Sequence, residues 1–332
     1  MIVVTGAAGY VGSFLVRKLA EDERFEDYDI VGIDNFLVGM EENYKLIEAN
    51  GRVKLMKGDV CDRDFVRDLL KDAEIVYHLA AISGVVQCNK NPYLAFKVNV
   101  EGTLNMLEGS VKGNVEYFIY PSSSAVYGNV NGEFATEDIP PRPLNKYGAM
   151  KACCENLCIG YYNLHGLGTV VLRFTNIYGV GVYPKWRTVV TNFILKALRG
   201  EPLTIHGSGE QRRDFIHIDD VIDIYKLVLT PKAKGEIFNA GSGYTASIKE
   251  LADIVREIAK ADGRKVKIVY TKAREKIERT FGYDMSKIRD LGFRPKYDIR
   301  SGVEKTFNDV KRILIEIGFR EFQKDIISEN SL

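Results

Sequence analysis

The chain carries almost no net charge. Its 46 Lys and Arg stand against 45 Asp and Glu over 332 residues, a formal balance of +1 at neutral pH. No global field therefore favours nucleic acid or an anionic membrane, and an anionic ligand must be held by local groups. No apolar run reaches membrane-spanning length. The N-terminus has no basic stretch and opens at once on a strand-like run, so no signal peptide is expected. The cysteines, Cys61, Cys88, Cys153, Cys154 and Cys158, are odd in number and fit no zinc or Cys-x-x-Cys pattern. The four histidines are scattered, so no metal site is expected. Reduced thiols and a cytoplasmic setting are the expectation that follows. There is neither an internal repeat nor a low-complexity segment.

What is present is an ordinary globular composition, with 45% hydrophobic and 27% charged residues. The length allows two domains, or one large α/β unit with an added lobe. Ile2-Val3-Val4 suits a buried strand, and Phe14, Leu15, Val16 and Leu19 read as one face of a helix. Between them lies Thr5-Gly6-Ala7-Ala8-Gly9-Tyr10-Val11-Gly12. A glycine turn joining a strand to a helix sets bare amides at a helix N-terminus, where a pyrophosphate binds. Three glycines also make an ordinary tight turn; the strand before and the helix after favour the nucleotide reading.

Ile30–Ile33 is a second strand, ending at Asp34-Asn35. Asp34 lies 22 residues after Gly12, near the spacing at which a carboxylate takes the adenosine ribose hydroxyls. It would repel a 2′-phosphate, which favours NAD over NADP; a solvated loop aspartate is the plain alternative. Val53–Gly58 is a third strand, ending at Asp59-Val60. Ile75–Leu79 is a fourth, running into Ala80-Ala81, small residues that let a ligand approach the backbone. His78 is read as packing. A helix over 91–110 contains Asn99, and Tyr117–Tyr120 is a fifth strand followed by Ser122-Ser123-Ser124, read as turn chemistry that also offers hydroxyls. Thr169–Phe174 is a sixth strand. Strands alternating with helices to about residue 175 describe an α/β fold with a doubly wound, Rossmann-type parallel sheet. Beyond it the pattern loosens. Residues 207–214 read as a turn carrying two arginines, and a smaller α+β substrate-binding lobe is expected from 176–214 and 241–332. The NAD-binding domain would comprise 1–175 plus about 215–240.

Tyr147 and Lys151 stand four apart and share a face if their stretch is helical. A nearby ammonium favours the phenolate, and a phenol that ionises readily is a general acid/base for alcohol–carbonyl chemistry. The same spacing also arises by chance as a surface pair.

In their order, the glycine loop, Asp34-Asn35, Asp59-Val60, His78-Leu-Ala-Ala81, the serine run, Tyr147-x-x-x-Lys151, Leu172-Arg173-x-x-Asn176-x-Tyr178-Gly179 and Arg213-Asp214-Phe215 resemble the extended short-chain dehydrogenase/reductases. Within that group the chain is similar to NAD-dependent nucleotide-sugar epimerases and dehydratases, most of all the UDP-glucose (UDP-galactose) 4-epimerases. The resemblance implies NAD bound by Gly6, Gly9, Tyr10, Val11, Gly12, Asp34, Asn35, Asp59, Val60, Ala80, Ala81 and Asn99. It implies Tyr147 as acid/base, with Lys151 lowering its pKa and binding the nicotinamide ribose. Ser123, four residues before Tyr127 of Val-Tyr-Gly, takes the catalytic Ser/Thr place. Ser123, Ser124, Tyr147, Asn176, Arg213 and Arg274 would meet substrate, although Ile277 stands where the family has an acid near that last arginine. Ser124 and Ala125 occupy positions that are acidic in related dehydratases, which leaves an isomerase acting at C4 of a UDP-hexose, or a reductase/oxidoreductase on another nucleotide-linked sugar. A homodimer through helices near 91–110 and 146–165 is also implied.

Overall fold

The computed structural model describes residues 1–48, 51–130, 134–182, 188–272 and 281–317. The chain opens with β1 (Ile2–Thr5), α1 (Tyr10–Ala20), β2 (Ile30–Asp34), α2 (Glu41–Glu48), β3 (Val53–Lys57), α3 (Arg63–Leu69) and β4 (Ile75–His78). It continues through α4 (Val85–Lys90), α5 (Pro92–Phe96), a π-helical turn at Lys97–Glu101, α6 (Gly102–Lys112) and β5 (Tyr117–Ser123). Next come β6 (Phe134–Ala135), α7 (Lys146–His165), β7 (Thr169–Phe174), β8 (Asn176–Tyr178), α8 (Val189–Leu198), β9 (Leu203–His206), β10 (Arg212–His217) and α9 (Ile218–Leu227). The last elements are β11 (Glu236–Ala240), β12 (Thr245–Ser247), α10 (Ile248–Ala261), β13 (Ile268–Thr271), β14 (Gly282–Tyr283), α11 (Ser286–Asp290) and α12 (Ile299–Ile317).

Two compact units result. The first joins Met1–Thr175, Val221–Gly241 and Tyr283–Arg294; the second joins Asn176–Asp220, Ser242–Gly282 and Pro295–Leu332.

The first unit is built on a seven-stranded sheet in the order β11-β7-β5-β4-β1-β2-β3, parallel throughout. Strands β1, β2 and β4 are buried along their whole length, as β-branched runs covered on both faces must be. The strand order reverses between β1 and β4, and the carboxyl ends at such a reversal form a crevice that takes ligands. The glycine loop, Asp34, the Ala80-Ala81 loop and the serine run all leave the sheet at that edge.

Two details differ from the sequence expectation, the serine run and the arginine pair. Ser122 and Ser123 are not in a turn: they continue β5 and pair with Arg173 and Phe174 of β7, so the ladder outlasts the apolar run. Residues 236–240 add the seventh strand, β11, on the far side of β7. In the second unit Arg212 and Arg213 lie on strand β10, where cross-strand pairing with β12 overrides the polar composition that reads as a turn. Strand β10 also runs parallel to β8, and β9 pairs with β13. Helices α8, α10 and α12 pack together there, and α10 opens on a capping box formed by Ser247 and Glu250.

Candidate active site

The glycine loop bends tightly because Gly6 adopts φ +70°, a conformation that side chains disfavour, and lies against the backbone of Leu79 and Ala80. A Cβ on Gly12 would run into the Gly6 carbonyl, so α1 can begin this close to β1 only with glycine there. Gly9 caps α1 without a side-chain hydrogen bond, and the first turn holds no acidic residue. Gly9, Tyr10 and Val11 are half-buried. The N-terminus of an eleven-residue helix therefore meets this loop with neither a side-chain cap nor an acidic residue, and a dinucleotide pyrophosphate fits that cradle.

Asp34 ends β2, buried, with Oδ2 accepting from Ala8 N at 2.9 Å and Oδ1 from Phe36 N at 2.8 Å. Burial raises its pKa, and the backbone amides oppose that rise. A carboxylate has about four acceptor sites, so the Asp34 group can accept from a ribose hydroxyl beside these amides. The turn after it is strained: Phe36 sits at φ +59°. Asn35 Nδ2 donates to Asp59 Oδ2 at 3.1 Å, joining the ends of β2 and β3. Val60 is buried, and its carbonyl accepts from Asn105 Nδ2 at 3.1 Å.

Ala80 and Ala81 are half-exposed at the end of β4. Asn99 is buried within the π-helical turn, its Oδ1 accepting from Ile82 N at 2.7 Å and its Nδ2 donating to Ile82 O at 3.0 Å. It braces the alanine loop from behind. His78 packs, as expected, and does more. Its Nδ1 lies 2.9 Å from Thr5 Oγ1 and its Nε2 3.0 Å from Thr103 Oγ1, while Thr103 donates to Asn99 O at 2.6 Å. Because that hydroxyl proton is committed, Nε2 is the protonated nitrogen and Nδ1 accepts. Ala80 N donates to Thr5 Oγ1 at 3.1 Å, which closes a chain from one loop to the next. Burial lowers the His78 pKa to about 3, so the ring stays neutral.

Helix α7 starts at Asn145, whose side chain accepts from Gly148 N at 2.9 Å. One turn in, Tyr147 reaches the Ser123 hydroxyl. Lys151 is buried one turn further, with Nζ donating to Pro121 O at 2.6 Å and lying 4.5 Å from the Tyr120 ring centre. Burial pushes the phenol up to about 12, opposed by the Ser123 hydrogen bond. Burial brings the Lys151 ammonium down to about 8. The expected lowering of Tyr147 by Lys151 does not appear in the protein alone: Lys151 is not among the groups that move the phenol, and desolvation raises it. Ser124 and Ala125 are buried in a short 3₁₀ turn after Ser123.

Two sequence-expected substrate residues lie in the second unit. Asn176 is exposed on β8, and its Nδ2 donates to Asp214 O at 2.8 Å. Arg213 on β10 donates from Nη1 to Arg212 O at 2.7 Å. Arg274 and Ile277 fall outside the described residues. Sequence reasoning passed over Glu155 and Arg173, a fully buried ion pair behind Ser123; the signal was there in Glu155, four residues after Lys151 on the same helix face.

A profile of the NAD dependent epimerase/dehydratase family matches residues 2–241. Among solved structures, the UDP-glucose 4-epimerase of Thermotoga maritima with UDP-glucose superposes with a TM-score of 0.84 at 31% identity, covering 94% of this chain and 99% of its own. The UDP-glucuronic acid 4-epimerase of Bacillus cereus, in complex with UDP-glucuronic acid and NAD, gives a TM-score of 0.84 at 32% identity over the same shares. The dTDP-D-glucose 4,6-dehydratase of Mus musculus is 31% identical over 92% of this chain and 87% of its own length.

Proposed function

The chain belongs to the NAD dependent epimerase/dehydratase family, and on that premise we propose that it inverts C4 of a UDP-hexose of the UDP-glucose/UDP-galactose type. The observation that carries this reading is the Ser123–Tyr147–Lys151 group, with Ser124 and Ala125, neither of which bears a carboxyl group, next after Ser123. Loss of water from the sugar needs an acid and a base for the C5 and C6 positions as well. Inversion at C4 needs one proton relay and one redox centre.

NAD is the cofactor, and when bound it would supply the hydride acceptor for C4. Tyr147 takes the proton of the sugar 4-OH, and Ser123 holds that oxygen and the phenol in one hydrogen-bonded line. C4 loses its hydride as O4 loses its proton, which leaves a 4-keto sugar. When the hydride returns to the opposite face, Tyr147 returns the proton to O4 and the cofactor ends as it began. Lys151 holds the nicotinamide ribose, and its ammonium sets the potential around the phenol. Asn176 and Arg213 are the residues proposed for the diphosphate.

Similarity to epimerases of both a neutral hexose and a uronate leaves the substituent at C5 as the point of substrate choice. A homodimer is part of the proposal: Val86 on α4 is 77% exposed, Tyr93 on α5 88% and Leu164 on α7 78%, apolar surface of the kind that mates. Five free cysteines support a reducing, cytoplasmic setting.

The test is anaerobic incubation of the purified protein with UDP-galactose, following product sugar and NADH absorbance together. UDP-glucose formed with no net NADH supports the proposal. Stoichiometric NADH change would establish an oxidoreductase on a nucleotide-linked sugar instead.

A further inference from the structure

Behind Ser123 and Tyr147 lies a buried polar cluster that the chemistry above does not use. Tyr147, Lys151 and Glu155 follow at four-residue spacing along α7. Glu155 and Arg173 of β7 are each 2% exposed. Arg173 Nη2 donates to Glu155 Oε2 at 2.8 Å, and Nε donates to Oε1 at 3.1 Å. Its Nη1 donates to Glu137 O at 3.1 Å, and the guanidinium stands 4.7 Å from the centre of the Tyr127 ring. The Tyr127 hydroxyl donates to Asn239 Oδ1 at 2.6 Å. A short hydrogen bond from Ser122 Oγ completes the shell around Glu155 Oε1.

A buried ion pair is a poor source of stability, because desolvation offsets most of the attraction. What it supplies is fixed geometry. Ser122 and Ser123 are consecutive on β5, so anchoring one side chain sets the backbone from which the other projects. Ser122 also pairs with Arg173 in the β5–β7 register, which gives the anchor two holds on the same strand end.

We propose that Glu155 and Arg173 are positioning residues for the acid/base step, with Ser122 as the link: the pair pins the end of β5 and so keeps Ser123 within hydrogen-bond reach of the Tyr147 phenol. This rests on the reading of Ser123 and Tyr147 as the acid/base pair. The Ser123 hydrogen bond is the interaction that works against burial at the phenol. Loosening Ser123 makes Tyr147 harder to ionise, so the mark of lost positioning is a displaced pH profile. A merely structural contact would lower activity by one factor at every pH.

The experiment uses Ser122→Ala, which removes the link and leaves the ion pair in place, in the full chain loaded with NAD. Tyrosines labelled with carbon-13 at Cζ report ionisation by NMR, and Tyr147→Phe identifies the Tyr147 resonance. The Tyr147 midpoint is expected to rise by about one pH unit, the size of one charge-assisted hydrogen bond. Turnover of UDP-galactose is expected to fall about tenfold at neutral pH and to recover as the pH is raised. Glu155→Gln is expected to move the midpoint in the same direction. An unchanged Tyr147 titration in Ser122→Ala overturns the inference, as does a loss of equal factor at all pH values. Full activity in Tyr147→Phe would sink the acid/base reading itself, which separates the two failures.

Discussion

Tyr147 and Lys151 stand one turn apart on α7, and burial moves their pKa values past each other: the phenol rises to about 12 while the ammonium falls to about 8. In water about half a pH unit separates a tyrosine from a lysine. Here the order is reversed: at neutral pH both groups are protonated, and the lysine would lose its proton before the phenol.

Lys151 is costly to the fold. Its folded pKa of about 8 lies below its ordinary 10.5, so between those values the unfolded chain holds more protons and stability rises with pH. Lys151→Met should remove that rise and should raise stability at pH 7 by about 2 kcal/mol, after allowance for the lost hydrogen bond to Pro121. Activity should vanish in the same variant. Chemical denaturation at pH 7 and pH 10 checks both the sign and the slope.

Gly12→Ala should weaken NAD binding and destabilise the first unit by about 1–3 kcal/mol, because the new methyl meets the rigid Gly6 carbonyl. Thermal unfolding with and without NAD separates the two effects. The cofactor's stabilising shift should shrink, and an unaltered shift would remove the loop from the binding site.

Asp22 joins Arg24 and Lys226, its carboxylate 2.7 Å from each cation. The Arg24 hydrogen bond, with Lys226 behind it, holds its pKa well below the usual 3.8. The stability this adds is fully present above 3.8 and is lost as the pH falls below it. Asp22→Asn can keep the Oδ1 acceptor for Arg24 N, and it removes the charge together with the Oδ2 acceptor of Arg24 Nη2 and Lys226 Nζ. It should cost about 1 kcal/mol at pH 7 and progressively less in acid. Urea titrations at pH 7 and pH 3 measure that convergence.

Much of the first unit was legible because its strands are short β-branched runs closed by small or acidic residues. Ile2–Thr5, Ile30–Asp34 and Ile75–His78 announce themselves this way. The continuation of β5 through Ser122 and Ser123 was hidden, because pairing with β7 rather than hydrophobicity keeps those residues in the ladder. The same holds for Arg212 and Arg213 on β10. At the site, Ser123 was implied by the family resemblance, while the four-residue spacing of Tyr147 and Lys151 could be read locally. The effect of burial on their pKa values could not, since it depends on side chains distant in sequence. The relay from Ala80 through Thr5, His78 and Thr103 to Asn99 spans three separate segments, and no local pattern reports it.

The central claim is that hydride leaves C4 and returns to C4. UDP-galactose carrying deuterium at C4 tests it most directly when incubated with the NAD-loaded enzyme and followed by NMR and NADH absorbance. The account predicts UDP-glucose with the deuterium still on C4, no accumulation of NADH, and no turnover by Tyr147→Phe. Deuterium displaced from C4, a dehydrated keto sugar as product, or stoichiometric NADH would contradict it.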